Sequence, residues 1–301
     1  MAYGIPYCGS KSRIADRLLE LMPAGGTFFD LFAGGCAMTH AAMLTGKWSR
    51  VLANDKHPDA LRLFADAIAG KTLRRTEWVS HDAFRRLRDS DPFVRYVWSF
   101  GGKGERYLYG RNVVPWKMAL LDLYAHGNDA AIRAIFPDFP AGLTSDEARA
   151  WIKAHGDQLR QAYAGRYGCD LPAEPYRLQH YESAKRINAL SALGRPPDVS
   201  MTDYASVPIT GPGVIYCDPP YLGTENPYGE AFDYERFYSW AESQSLPVFV
   251  SEYWMPPDRF RCVAEFKLNC TLSFVVNGDR RTERLFVPVH QKHQADALTL
   301  F

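Results

Sequence analysis

The stretch VIYCDPPY, residues 214–221, decides how the rest of the chain is interpreted, because it joins an apolar run to a carboxylate, two prolines and an aromatic ring. The run 214–217 lies between a Thr-Gly-Pro-Gly turn signal and the proline pair, which is typical of a strand buried on both faces of a parallel sheet. Ligands of such sheets bind beyond the carboxyl ends of the strands, where Asp218 would emerge.

The loop that begins at Asp218 is predicted to be rigid and rich in hydrogen-bond acceptors. Each proline fixes its own φ, removes a backbone donor and pushes the preceding residue toward an extended conformation. A carboxylate and a carbonyl only accept hydrogen bonds, so a flat group that carries an NH2 would fit, with Tyr221 stacked on its face. Such a group could be a nucleobase. The alternative is a strand-ending turn with a capping Asp and a half-buried Tyr.

Two earlier segments have the pattern of a nucleoside-binding α/β unit. TFFDLFAGGCAMTHAAM, residues 27–43, is predicted to form a strand, a glycine turn and a helix start, where a ligand can approach the backbone and a carboxylate is attracted. RVLANDKHPDAL, residues 50–61, is predicted to form a second strand that ends at Asp55. An acidic residue about 20 positions after a glycine loop can bind ribose hydroxyls. Alternatively, Asp55 caps a helix over 58–69.

In this order, these segments and Asp-Pro-Pro-Tyr resemble the adenine-specific DNA methyltransferases, in particular the group of the bacterial DNA adenine methylase. The resemblance implies a catalytic group made of Asp218, Pro219, Pro220 and Tyr221. It also implies that the glycine loop holds S-adenosylmethionine. The family often has Phe-x-Gly-x-Gly, and Cys36 stands where the second glycine would fall, so Cys36 must adopt an ordinary φ or be strained.

Two shorter segments extend the resemblance. YCGSK, residues 7–11, is similar to the family's aromatic-x-Gly-Gly-Lys segment, with Ser10 in place of the second glycine. In MTDY, residues 201–204, the pair Asp203-Tyr204 resembles the pair that contacts the cofactor's adenine. The predicted cofactor-binding set is Tyr7, Lys11, Asp30, Phe32, Gly34, Asp55, Asp203, Tyr204 and Asp218.

Positive charge is concentrated in one part of a chain whose net charge is only +1. Residues 71–117 contain eleven Lys and Arg against five Asp and Glu, and within them 98–112 interleave glycines, basic residues and aromatics. Such a loop can follow a phosphate backbone and present rings to bases. The predicted DNA-binding residues are Lys103, Arg106, Tyr109 and Arg111, with Arg281 near the C-terminus. The alternative is a solvated basic surface.

The predicted architecture is an α/β fold with a Rossmann-like, mostly parallel methyltransferase sheet and a C-terminal antiparallel hairpin. A largely helical insertion, residues 71–175, is predicted to recognise the DNA target, and residues 1–70 and 176–301 form the catalytic domain. The resemblance implies seven strands, the last of them antiparallel. The predicted elements outside the two βα units are helices over 144–165, 176–193 and 234–243, a strand over 247–251, and hairpin strands 271–276 and 283–289 around Asn-Gly-Asp.

Composition agrees with an enzyme of the cytoplasm. The chain has 301 residues, 47% of them hydrophobic, which is enough for a full core. It contains no run of about 18 apolar residues and no secretory leader, and its six cysteines and eight histidines form no C-x-x-C or H-E-x-x-H motif. We therefore expect no membrane span, no disulfide framework and no metal.

The sequence thus predicts a monomeric enzyme that transfers a methyl group from S-adenosylmethionine to the 6-amino group of adenine in double-stranded DNA, with the base extruded from the stack. A covalent cysteine mechanism is disfavoured because Cys217 precedes Asp218 inside the strand. Three alternatives remain open: methylation of cytosine's amino group, methylation of adenine in RNA, or a DNA-binding relative without activity.

Overall fold

The computed structural model describes residues 2–73, 75–222, 231–267 and 282–291. The chain divides into two compact units. The sheet unit comprises residues 1–5, 9–69 and 193–301, and the helical unit comprises residues 6–8 and 70–192. No helix in the described ranges is long and apolar enough to cross a membrane.

Helices and strands alternate in the first and last parts of the chain. In chain order they are α1 (Ala15–Glu20), β1 (Thr27–Asp30), α2 (Ala37–Thr45), β2 (Arg50–Asn54), α3 (Pro58–Ile68), α4 (His81–Leu87), α5 (Pro92–Val97), α6 (Val114–His126), α7 (Ala130–Ile135), α8 (Ser145–Ala154), α9 (Gly156–Tyr167), α10 (Gln179–Ala189), β3 (Asp198–Ser200), β4 (Gly213–Cys217), α11 (Tyr234–Ser243), β5 (Val248–Glu252), β6 (Phe260–Lys267) and β7 (Thr282–Pro288).

The seven strands form one sheet in the order β3-β2-β1-β4-β5-β7-β6. Strands β1 to β5 pair in parallel, whereas β7 runs antiparallel to both β5 and β6. The predicted α/β fold class with antiparallel C-terminal strands is therefore confirmed. From β1 the chain proceeds outward to β2 and β3 and then returns to β4 on the other side of β1. This reversal is a topological switch point, where ligands of open α/β sheets bind.

Both faces of the sheet are covered, as the apolar run before Asp218 predicts. In β4, Val214 and Tyr216 belong to one buried cluster with residues of α1 and α2. Ile215 and Cys217 point to the other face and join a second cluster with α11. All four are at most 1% exposed, so the strand has no solvent-facing side. An apolar run without alternation is the sequence pattern of such a strand.

The helices begin where short polar side chains can cap them. Ser80 accepts a backbone hydrogen bond at the start of α4, and Asp91 does so before Pro92 at the start of α5. Thr144 and Glu147 form the predicted capping box of α8. These reciprocal bonds satisfy amide groups that have no partner inside the helix.

The prediction of one continuous helix over 144–165 was wrong. His155 has φ −104° and ψ 19°, and this residue separates α8 from α9. Its ring stacks on Trp151 and its Nδ1 lies 2.8 Å from the Trp151 carbonyl oxygen. Gly156 follows, and its low helix propensity keeps the free-energy cost of a break there small. Local ring contacts therefore compete with helix continuation at this point.

Three other features of the sheet unit differ from expectation or lie beyond the described ranges. Strand β3 is only three residues long and carries no apolar run, so no pattern in the sequence predicted it. The predicted hairpin strand 271–276 and its Asn-Gly-Asp turn lie outside the described residues. In the described part β7 pairs with β5 and with β6, and the burial alternation of β6 is disturbed by an irregularity between Cys262 and Ala264.

The compact units do not divide the chain where the sequence placed the boundary. The helical unit extends to residue 192 and so includes α10, whereas the predicted insertion ends at 175. Contacts between α10 and α5 account for this difference. Recognition of a DNA target by this unit stays a prediction.

Candidate active site

The sheet brings together two loops that are far apart in the sequence. Strands β1 and β4 are neighbours, with Asp30 in register with Tyr216. The backbone amide of Leu31 donates to the Tyr216 carbonyl over 3.0 Å, so the first residues after the two strands start from the same edge. The glycine loop after β1 and the Asp-Pro-Pro-Tyr loop after β4 therefore border one site at the switch point.

Asp218 is held by Lys11 on one side only. The Lys11 ammonium donates to Asp218 Oδ2 over 2.7 Å and lies 4.9 Å from the centre of the Tyr221 ring. Lys11 is only 8% exposed. Burial acts to lower the pKa of Lys11, but the carboxylates of Asp218 and Glu283 outweigh it and raise that pKa. Lys11 therefore remains cationic. Asp218 Oδ1 is buried and has no hydrogen-bond partner among the described residues.

Tyr221 is fixed at both ends of its side chain. Its hydroxyl donates to Glu283 Oε1, and its ring packs edge-on against Tyr253 at a centroid distance of 4.5 Å. Burial and the neighbouring carboxylates raise the pKa of Tyr221 well above its ordinary value, so the hydroxyl keeps its proton. The ring therefore has a fixed plane beside Asp218.

Of the two prolines between Asp218 and Tyr221, only Pro220 has a carbonyl that accepts a hydrogen bond from a described residue. The hydroxyl of Tyr234 donates to the Pro220 carbonyl over 3.0 Å. Pro219 is buried, and none of the described residues donates to its carbonyl. The predicted acceptor, the carbonyl of Pro219, is thus the one that the fold leaves available.

Sequence reasoning did not identify two buried glutamates beside this loop. Glu252 ends β5 and accepts hydrogen bonds from the backbone amides of Leu222 and Tyr253, over 3.1 and 2.7 Å. Burial raises its pKa to about 7, and Asp218 and Glu283 add to that effect. Glu283 is 4% exposed near the start of β7. A glutamate at the end of a predicted buried strand could have indicated them. Glutamate is almost never fully buried unless it is paired, so such a position suggests a polar partner.

Asp30 anchors the glycine loop to the start of α2. Its Oδ2 accepts from the Thr39 amide over 3.1 Å and from the Thr39 hydroxyl over 2.6 Å. Its Oδ1 is buried without a hydrogen-bond partner in the part of the chain that the structure describes. Burial raises the pKa of Asp30 to about 7, opposed by the Thr39 hydroxyl and supported by the charges of Asp218 and Asp55.

The carboxylate of Asp55 forms hydrogen bonds with backbone amides, one of which belongs to the glycine loop. Its Oδ2 accepts from the Gly34 amide over 2.7 Å, and its Oδ1 accepts from the His57 amide over 2.8 Å. Burial raises the pKa of Asp55 although both bonds act to lower it. Asp55 therefore joins the turn after β1 to the turn before α3, and ribose binding by its remaining lone pairs stays a prediction.

Cys36 resolves the alternative that the sequence left open: it is strained. With φ 58° it adopts the left-handed conformation at the start of α2, and no other non-glycine residue in the described ranges has a positive φ. A side chain in this conformation costs roughly 1–2 kcal/mol, which glycine avoids. The backbone thus keeps the geometry expected of the family's second glycine with a different residue.

The predicted adenine contacts lie in an aromatic cluster of the sheet unit. Tyr204 stacks on Phe32 with ring centres 5.2 Å apart, and its hydroxyl is buried without a partner among the described residues. Asp203 forms a bidentate ion pair with Arg236 over 3.0 and 2.7 Å, which lowers the pKa of Asp203. An adenine amino group would have to share this carboxylate with Arg236.

The chemistry of the site fits a ligand with donors and positive charge. Three side chains in it each leave one buried polar atom without a hydrogen-bond partner in the described ranges: Asp30 Oδ1, Tyr204 Oη and Asp218 Oδ1. Buried polar atoms in native proteins are nearly always satisfied, so unsatisfied ones in a cleft are candidate ligand contacts. S-adenosylmethionine carries an ammonium, an adenine amino group and a sulfonium and suits the unpaired atoms of Asp30 and Tyr204. No group of three or more His, Cys, Asp or Glu in the described part could hold a metal ion.

The predicted DNA-binding residues of the helical unit differ in exposure. Lys103, Arg106 and Arg111 are all exposed. Tyr109 is only 4% exposed, stacks on Trp78 and bonds through its hydroxyl to His180 Nδ1. This burial leaves no face of Tyr109 for a base, so the ring supports the surface from beneath.

The structure does not link two further predicted residues, Tyr7 and Arg281, to the site. Tyr7 belongs to the helical unit, where it packs on Tyr96 at a centroid distance of 5.7 Å. Arg281 lies outside the described residues. Their roles in cofactor and DNA binding stay predictions.

Part of the chain matches the model of a known family. The model of the D12 class N6 adenine-specific DNA methyltransferases matches residues 7–93, which include the Tyr7–Lys11 segment, the glycine loop and Asp55. No curated protein sequence matches the chain. Among solved structures, the rRNA methyltransferase aviRa from Streptomyces viridochromogenes matches with 14% identity and a TM-score of 0.34, over 95% of this chain and 84% of that one.

The family match confirms the resemblance of the segments within residues 7–93 and supports an adenine DNA methyltransferase enzyme, whereas the Asp-Pro-Pro-Tyr motif lies outside the matched residues. Membership of this family would imply S-adenosylmethionine as methyl donor and DNA as substrate.

Proposed function

We propose that this protein is an adenine-specific DNA methyltransferase that acts on the exocyclic 6-amino group of an adenine extruded from double-stranded DNA. The observation that carries the proposal is Asp218 Oδ1, a buried acceptor without a partner among the described residues at the end of β4. Pro219, the next residue, offers its carbonyl, and the Lys11 ammonium that bonds to Asp218 Oδ2 lies 4.9 Å from the centre of the fixed Tyr221 ring. A planar base bearing an NH2 group is the ligand that these three features suit.

The acceptors would do the chemical work by orienting the amino group. Asp218 Oδ1 and the Pro219 carbonyl each accept one of its two hydrogens. The nitrogen lone pair then no longer lies in conjugation with the ring, and it points along the direction of attack. Holding reactants in such a geometry supplies a large part of catalysis.

S-adenosylmethionine supplies an electrophilic methyl group on a sulfonium. In this chain Asp30, Asp55 and Gly34 form the turn that would hold it, and Phe32 and Tyr204 offer rings to its adenine. Lys11 bonds to Asp218 Oδ2 over 2.7 Å and so fixes the carboxylate while Oδ1 remains free for the base.

DNA would be held by the helical unit, with Lys103, Arg106 and Arg111 on phosphates or base edges. Their exposure and the positive excess of residues 71–117 support this role. Because phosphate contacts carry no sequence information, the target sequence depends on whichever of these side chains reach base edges.

The direct test is methyl transfer with identification of the product. Purified protein is incubated with tritiated S-adenosylmethionine and duplex DNA in the presence of EDTA, and the DNA is digested to nucleosides and separated. We expect the label in N6-methyladenine. Label in N4-methylcytosine, transfer to RNA only, or activity lost in EDTA and restored by zinc would each overturn the proposal.

Extrusion of the base is tested separately. With 2-aminopurine at the target adenine, binding should increase fluorescence because the base leaves the stack. Methyl transfer without any increase would remove base flipping from the proposal.

A further inference from the structure

The direction of the last strand brings a carboxylate to the active-site edge. Strands β1, β4 and β5 run in parallel and end at this edge, where their loops carry the predicted site. Strand β7 runs antiparallel to β5, with Arg284 in register with Glu252. The first residues of β7, rather than its last ones, therefore lie at the same edge as the end of β5. Glu283 is placed there by topology alone.

Glu283 contacts Tyr221 of the predicted catalytic group and Lys11, which is bonded to Asp218 of that group. Its Oε1 accepts the hydroxyl of Tyr221, and the same oxygen lies 3.8 Å from the Lys11 ammonium. Lys11 in turn bonds to Asp218 over 2.7 Å. Glu283 is 4% exposed, so it is shielded from water that could replace these contacts.

We propose that Glu283 is a positioning residue that fixes the plane of the Tyr221 ring and shares the charge of Lys11 with Asp218. The inference rests on the proposed function, in which Tyr221 holds the extruded adenine and Asp218 orients its amino group. Glu283 does not touch the base. It acts through the two residues that do.

The physical need for such a residue follows from the chemistry of Lys11. If the buried ammonium faced Asp218 alone, it could bond to both carboxylate oxygens. It would then compete with the amino group of adenine for Oδ1. A second carboxylate at 3.8 Å draws the ammonium partly away. Tyr221 alone could turn about its side-chain bonds, whereas a ring tethered at its hydroxyl and packed on Tyr253 has one orientation.

Glu252 supports the same loop from the backbone side. It accepts the amide of Leu222, the residue that follows Tyr221. The two glutamates come from adjacent strands and secure successive residues, so the exit of the Asp-Pro-Pro-Tyr loop is attached to the sheet at two points.

The test compares Glu283→Gln with wild-type protein. Glutamine keeps an acceptor for the Tyr221 hydroxyl but removes the charge. We expect kcat to fall at least tenfold, KM for S-adenosylmethionine to stay within about twofold, and the increase of 2-aminopurine fluorescence to diminish. A matched control is Glu242→Gln, which removes a partly buried, ion-paired carboxylate on α11 without touching the site, and its kcat should equal that of the wild type.

The pH dependence separates positioning from mere support of the fold. Burial raises the pKa of Glu283, opposed by Lys11 and supported by Asp218, with Tyr221 and Glu252 also nearby. If the charge of Glu283 is needed, the wild-type rate declines as pH falls through that raised pKa. The acidic limb of kcat in Glu283→Gln should then lie at lower pH, below a reduced plateau. An unmoved limb and an unchanged kcat would overturn the inference.

Tyr221→Phe keeps the inference testable if Glu283→Gln folds poorly, because it breaks the hydrogen bond to Glu283 and removes only one oxygen. We expect a smaller increase of 2-aminopurine fluorescence and a kcat several-fold below that of the wild type, with KM for S-adenosylmethionine unchanged. Fluorescence and kcat equal to those of the wild type would overturn the inference. Absence of methyl transfer by the wild-type protein would instead overturn the proposed function.

Discussion

The two charged regions of this protein use charge in opposite ways. In the sheet unit, carboxylates and the Lys11 ammonium are buried around Asp218, and the pKa values of Asp30 and Glu252 rise to about 7. In the helical unit, Lys103, Arg106 and Arg111 are exposed. Buried charges interact strongly because little water screens them, whereas exposed charges are screened by salt.

This contrast indicates what each region can do. In the buried site a single atom can decide the chemistry, since each group depends on the position and charge of its neighbours. On the exposed surface the strength of phosphate binding depends mainly on the number of charges near the backbone. Substitutions should therefore have specific, separable effects in the first region and additive, salt-dependent effects in the second.

The largest effect is expected from Asp218→Asn. Asparagine has the size of aspartate but places an NH2 donor where the substrate's amino group needs an acceptor. Turnover should fall by on the order of a hundredfold or more, comparable to the loss of other positioned catalytic groups. Steady-state methyl transfer measures this. DNA binding, followed by fluorescence anisotropy, should change far less, and a parallel loss of binding would contradict the assignment.

On the exposed surface, the triple substitution of Lys103, Arg106 and Arg111 by Gln should weaken DNA binding in proportion to charge. The slope of log K against log salt should flatten by up to about 2.7, or about 0.9 for each phosphate that the variant no longer neutralises. Affinity for S-adenosylmethionine should be unchanged. A control that neutralises Arg133 and Lys153, exposed residues outside the basic stretch, should leave the slope nearly intact. An unaltered slope in the triple variant would locate DNA binding elsewhere.

Asp30→Asn should show that the buried carboxylate of Asp30 lowers the stability of the folded protein but is needed for cofactor binding. The pKa of Asp30 is raised from 3.8 to about 7, so the native state holds this proton more tightly than the unfolded chain does. Wild-type stability therefore declines as pH rises from about 4 through about 7. Asparagine can still accept both Thr39 hydrogen bonds and carries no charge, so at pH 8 it should be more stable by on the order of 1 kcal/mol or more.

The measurement is thermal denaturation of both proteins at pH 5 and pH 8. The gain should be present at pH 8 and shrink toward pH 5. Binding of S-adenosylmethionine should weaken, because the buried acceptor Oδ1 becomes an NH2 donor. A variant that binds the cofactor as well as the wild type does would remove Asp30 from the cofactor site.

The smallest effect is expected from Cys36→Gly. Glycine relieves the left-handed strain of roughly 1–2 kcal/mol but gains more entropy in the unfolded chain and loses the buried thiol. The net change in unfolding free energy should therefore be within about 1 kcal/mol, with cofactor binding preserved. Cys36→Val is the contrasting variant, since a β-branched residue is poorly tolerated at positive φ. Similar stability of the two variants in urea titrations would show that the strain is not significant.

Much of the sheet unit could be predicted from short patterns. The apolar run before Asp218, the Pro-marked start of α3 and the bounds of α11 are local features, and local propensity decides them. The sequence did not predict β3, because this strand depends on pairing with β2, which is distant in the chain. It also did not predict the break at His155, whose ring stacks on Trp151 one helical turn earlier, because the apolar period of a helix carries no signal for such a contact.

The candidate site shows the same division. Its residues with motif signatures, Asp218, Tyr221, Lys11 and Asp55, were identified from the sequence, although how they act in the reaction remains a prediction. The basic residues and glycines around Tyr109 predict that it contacts DNA, but its packing on Trp78 and its bond to His180 bury the ring. Exposure depends on the whole fold, so a loop sequence by itself does not predict it.

The sequence by itself determined the class of chemistry, because an acceptor-rich Asp-Pro-Pro-Tyr loop after a buried strand, a glycine turn and a following acid are arrangements of neighbouring residues. Only the tertiary structure decided which polar groups form hydrogen bonds in the site. These bonds join Lys11 to Asp218, Tyr221 to Glu283, and the Gly34 amide to Asp55. These pairs join positions that are 21 to 207 residues apart. The physical reason is that strand order and direction, above all the reversal between β1 and β4 and the antiparallel β7, bring the pairs to one edge.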